Sequence, residues 1–133
     1  MLDRLARLAK LLVVAALLTT SAAVQAHHGN SAYDETRTIV VTGVATEFDF
    51  VNPHTQIYMD VKNDKGEIVH WSVECNSPGI MRRSGWTRDT VKPGDQISVT
   101  LNPAKTGAPV GFSGGRTGQV VLASGQTLSM SPK

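Results

Sequence analysis

Residues 55–75, TQIYMDVKNDKGEIVHWSVEC, constrain the fold more than any other stretch of the chain. Ile57, Met59 and Val61 alternate with Gln56, Tyr58 and Asp60; after a break, Val69, Trp71, Val73 and Cys75 alternate with His70, Ser72 and Glu74. A period of two belongs to strands with one buried face. A three-residue loop, Asp64-Lys65-Gly66 with Gly66 left-handed, closes such a hairpin and pairs Asn63 with Glu67. Counting back sets Val61 against Val69, Met59 against Trp71 and Ile57 against Val73 on the core face. The outer face then pairs Asp60 with His70, Tyr58 with Ser72 and Gln56 with Glu74. Loops of two or four residues would place Met59 opposite His70, so the pattern selects one register.

The rest of the chain from residue 37 reads the same way, as short β-rich runs between Gly, Pro and Asn/Asp turns, with no long helical period. A strand over about 38–50 shifts its apolar phase after Gly43, which predicts a β-bulge there. Ser77 as N-cap, Pro78 at the first helical position and Gly85 as a stop predict one short helix. Pro93-Gly94 turns the chain into a strand over about 96–101. A mobile loop is expected around Gly107, Gly111, Gly114 and Gly115, followed by a fifth strand over about 118–122 and a last short strand over about 127–130. The expected fold is all-β: a small OB-like barrel of five to six strands, with the helix between strands three and four.

The first 26 residues carry Arg4, Arg7 and Lys10, an apolar run from Leu11 to Leu18, and small residues up to Ala26. This is the pattern of a secretory signal peptide cleaved after Ala26. The apolar run is too short to span a bilayer, and no second one follows it. The expected product is periplasmic or secreted, with a flexible start over residues 27–36 and one barrel domain over 37–133. Of 13 Lys+Arg and 11 Asp+Glu, the leader holds three and one, so ten of each remain and the net charge is zero. A balanced chain with no basic block lacks the electrostatic footprint that nucleic-acid binding needs. The single cysteine, Cys75, cannot form an internal disulfide and falls on the apolar face, where it reads as a small core residue.

Several of these residues together resemble a known family. They are the His27-His28 pair after the leader, Asn52-Pro53-His54, Trp71, the segment from Ser77-Pro78 through Arg82-Arg83 to Gly85-Trp86, and Lys92-Pro93-Gly94-Asp95. Their order and spacing resemble the exported bacterial proteins grouped as the domain of unknown function 6152. The resemblance implies a small secreted or periplasmic β-domain and brings no activity with it.

Cleavage after Ala26 would give His27 a free amine beside its imidazole, a nitrogen pair suited to Cu(II). A further imidazole would come from His28 or His54. On the outer face of the hairpin His54 and His70 stand roughly 20 Å apart, too far to share a metal. His54 is the better candidate, with Glu74 and Asn76 nearby as oxygen ligands or supporting partners, whereas His70 opposite Asp60 reads as a cross-strand charge pair. The competing reading makes the two histidines a polar start and His54 a turn residue. Glu47, Asp49 and Glu74 lack an acid/base spacing, and the glycine-rich KTGAPVGFSGGRTG lacks the ending of a phosphate loop. Arg82 and Arg83 with Arg88 offer a surface for an anion or an acidic partner. The expected function is therefore an exported binding module that holds a metal, copper first and zinc second, through His27, His28 and His54. The alternative is an interaction domain contacting an envelope protein or a small ligand. Catalysis is not expected, because no nucleophile and base are spaced for it.

Overall fold

The computed structural model describes residues 32–133, so the expected leader, His27 and His28 lie outside the described residues. Seven strands and one helix follow in the order β1 (Ile39–Asp49), β2 (Gln56–Lys62), β3 (Ile68–Cys75), α1 (Pro78–Arg82), β4 (Gln96–Pro103), β5 (Val110–Ser113), β6 (Gln119–Val121) and β7 (Thr127–Ser129). The sheet runs β1-β2-β3-β5-β4-β6-β7, and a further β1–β4 pairing closes the first five of these into a barrel. All pairings are antiparallel except that of β3 with β5. Together with the helix between β3 and β4, this is the expected OB-like barrel.

The β2–β3 hairpin takes the register that its alternation demands: Ile57 faces Val73, Met59 faces Trp71, and Gln56 faces Glu74. Its loop closes through Asn63 N–H to Glu67 O (2.9 Å) and Gly66 N–H to Asn63 O (2.9 Å), with Gly66 at φ 79°. The buried side chains Ile57, Met59, Val73 and Cys75 join Ile97, Val99, Leu101 and Val120 in the core. Burial pushes the Cys75 thiol well above its usual range, as expected for a core cysteine without a cation beside it.

Two sequence expectations change. The β1 bulge falls between Ala45 and Glu47, not at Gly43. Val41, Gly43 and Ala45 form the buried phase, and Val44 points outward although it is apolar. The extra residue, Thr46, bends the strand. Its first half then pairs with β4, and its second half with β2. The glycine-rich segment expected as a mobile loop supplies the barrel-closing strand β5, which lies parallel to β3 and antiparallel to the end of β4. Residues near 118–122 form β6, which pairs with β4 beside β5 and carries β7 past the barrel.

The helix closes one end. Ser77 is its N-cap with an extended backbone (φ −62°, ψ 151°), Pro78 begins the first turn, and Gly85 at φ 90° ends the segment. Met81 is fully buried and Trp86 almost so. The Trp86 ring lies 5.9 Å from that of Phe48, and its Nε1–H donates to Ser129 O at 2.8 Å, tying the helical segment to β7.

Candidate functional site

The hairpin register places Glu74 on the outer face beside Gln56, and the parallel β3–β5 pairing sets Phe112 on its other side. Tyr33 stacks on Phe112 (centroids 5.9 Å apart, planes 27° apart) and donates its hydroxyl to Glu74 Oε2 at 2.9 Å. The backbone around Tyr33 is held by Asp34 N–H to Pro103 O (2.9 Å) and Lys105 N–H to Ala32 O (3.0 Å). Ala32 and Asp34 are thus hydrogen-bonded to Lys105 and Pro103, just past and at the end of β4.

His54, two residues before β2, brings Nδ1 against the other Glu74 oxygen, Oε1. The Asn52–Pro53 bond that precedes it is cis. Thr55 is clamped to the strand end, with its N–H on Asn76 O (3.2 Å) and its carbonyl accepting from Cys75 N–H (2.8 Å), which fixes the base of the His54 side chain. The result is one carboxylate with each oxygen engaged by a different partner, Tyr33 on one side and His54 on the other. The His54 side chain is half exposed and that of Glu74 about one-fifth exposed. Of the sequence candidates, the structure therefore brings His54 and Glu74 together. Asn76 serves elsewhere: its amide donates to Met130 O (3.0 Å) and Ser131 Oγ (2.8 Å), holding the carboxyl-terminal segment. His70 pairs with Asp60 (Nδ1 to Oδ1, 2.6 Å), as its register position implies, and stays apart from His54 at the other end of the hairpin. Among the described residues no three of His, Cys, Asp and Glu cluster as a metal centre.

Tyr33 is the residue that sequence reading missed; its only signal was an aromatic side chain within an otherwise polar stretch. Burial, the hydrogen bond to Glu74 and the carboxylate's negative charge push its phenol up to about 12. In the unfolded chain a tyrosine ionises near 10. The folded state therefore keeps the proton longer, and this contribution to stability is intact below pH 10 and is lost as pH rises from about 10 to about 12. Urea midpoints measured across that window should fall more steeply for the parent chain than for Tyr33→Phe. Parallel curves would mean that Tyr33 titrates freely.

A hollow of about 320 Å³ opens on the β2–β3 face between Tyr58, Asp60, His70 and Ser72 on one side and Pro109 and Val110 before and within β5 on the other. It carries one acid–imidazole pair and a further carboxylate, Glu47, with no lysine or arginine.

Among the described residues no helix is long and apolar enough to cross a membrane. No curated protein matches the chain. The model of the family of unknown function DUF6152 matches residues 14–113, a span that takes in Tyr33, His54, Glu74 and the strands that position them. The chain belongs to the DUF6152 family.

Proposed function

We propose that the chain is an exported, non-catalytic binding module of the bacterial envelope. It holds a metal ion, copper first and zinc second, with His54 as one ligand and the histidines His27 and His28 as others. The observation behind this reading is the contact of Glu74 with His54 Nδ1. A metal-ligating histidine commonly gives its second ring nitrogen to a carboxylate, which fixes the tautomer and makes the free nitrogen more basic. Here Nδ1 is occupied and Nε2 remains on a half-exposed ring, while Tyr33 holds the other carboxylate oxygen and keeps Glu74 from turning away. The leader pattern favours export, and cleavage after Ala26 would give Cu(II) the amine and imidazole of His27.

The test is a Cu(II) titration of protein matured by export in a bacterial host, with intact mass read on the same sample. Sub-micromolar binding at one equivalent is expected on a chain whose mass begins at His27. His54→Gln should weaken it by about 10-fold or more, and Glu74→Gln by about 10- to 100-fold, the usual effect of losing a supporting carboxylate. One residue added before His27 should weaken it too. Binding that ignores both His54→Gln and the added residue would remove the proposal.

A second reading rests on the hollow beside Tyr58. The outer face of strands two and three, flanked by the loop between strands four and five, is where OB barrels take ligands. An interaction domain that uses this face would bind its envelope partner or small ligand without copper and would lose that binding on Tyr58→Ala.

A further inference from the structure

We infer that the hollow between the turn after α1 and the carboxyl-terminal segment is an oxyanion site for a phosphate monoester. It measures about 430 Å³ and is lined by Arg83, Ser84, Thr127, Ser131 and Lys133, among others. A second hollow of about 560 Å³ shares the Ser131 and Lys133 wall and adds Arg116. No aspartate or glutamate side chain lines either one. Among the described residues both ion pairs are histidine–carboxylate contacts, so the Arg83 and Arg116 guanidinium groups are in no ion pair.

The hydroxyl groups have the matching polarity. Ser131 Oγ accepts from Asn76 Nδ2 at 2.8 Å, which leaves its own hydrogen free to donate. Ser84 Oγ is buried without a hydrogen-bond partner. An arginine fork, an ammonium and the free Ser131 hydroxyl, with no aspartate or glutamate in the lining, suit a ligand that only accepts hydrogen bonds and carries negative charge. The volume falls in the range of small-molecule sites, roughly 300–1,000 Å³, so the phosphoryl group can bring an organic substituent. Neighbouring arginines divide the work: Arg82 lies over the Phe50 ring at 5.4 Å from its centroid, whereas Arg83 lines the hollow.

Such a phosphate belongs either to a free ester or to a lipid headgroup, and two probes separate these sources. Glycerol 3-phosphate, titrated at constant ionic strength against the full mature chain, should shift the amide resonances of Ser84, Thr127 and Ser131 saturably. Arg83→Gln should weaken this binding by about 10-fold or more, the usual loss for a charge-assisted hydrogen bond. Arg82→Gln should leave it within about twofold, since that guanidinium is committed to Phe50. Co-sedimentation with phosphatidylcholine vesicles containing phosphatidic acid, if lost on Arg83→Gln while the free ester does not bind, assigns the site to a headgroup. Shifts that chloride reproduces, equal effects of the two arginine variants, or binding to neither probe would overturn the assignment.

Discussion

Trp86→Ala should lower the unfolding free energy by about 3–5 kcal/mol, the usual cost of removing a large aromatic from a packed interior. Two independent losses add here. The indole is about 1% exposed and packs against Phe48, so its removal leaves a void at the end of the barrel that a five-residue helix cannot collapse to fill. Its Nε1–H also satisfies Ser129 O, and without it β7 loses its hydrogen bond to the helical segment. For a domain of this size the melting temperature should drop by more than about 12 °C. Trp86→Phe loses the hydrogen bond but leaves a smaller void, so it should fall well short of the alanine variant. Equal losses from the two variants would mean that the hydrogen bond, not the packing, holds this end.

The difference between what could and could not be read in advance follows the range of the interactions. Alternation and a three-residue loop are local, and they place Ile57 against Val73 and Gln56 against Glu74. Because His54 lies two residues before Gln56, its contact with Glu74 was within reach of the same counting. Tyr33 was not. It meets Glu74 only because β5 lies parallel to β3 and sets Phe112 beside that carboxylate, and nothing nearby in sequence encodes that pairing. The strand β5 itself was hidden because it is four residues long and contains Gly111, which reads as a loop residue. In the fold that glycine answers a packing need: a Cβ there would lie 2.5 Å from Leu101 Cδ1. The β1 bulge was misplaced for a related reason. Hydrophobicity alone shifted the buried phase to Val44, whereas the barrel keeps Val41, Gly43 and Ala45 in one buried phase and turns Val44 out.

Gly43→Ala tests that last point and should destabilise by about 2–3 kcal/mol, the upper part of the roughly 1–3 kcal/mol that overpacking a well-filled interior costs. A Cβ at this position would sit 2.3 Å from Asp60 O and 2.9 Å from Val61 Cγ2. The valine methyl can rotate away, but the carbonyl belongs to β2, whose Asp60 pairs with Val44 at the corner where β1 passes from β4 to β2. Relieving the clash means parting the two strands there. The entropy that alanine removes from the unfolded chain, about 0.4–1 kcal/mol, offsets only part of this. Gly66→Ala is the informative comparison. Gly66 has the left-handed backbone, φ 79°, yet open space around it, so alanine should cost about 1–2 kcal/mol there, from conformation alone. Urea midpoints should therefore rank Gly43→Ala below Gly66→Ala, although Gly66 has the more restricted backbone. The reverse order would mean that β1 and β2 separate easily at the corner. The close approach through Gly43 would then not be what curls the β2–β3 hairpin, with Glu74 on its outer face, into the barrel.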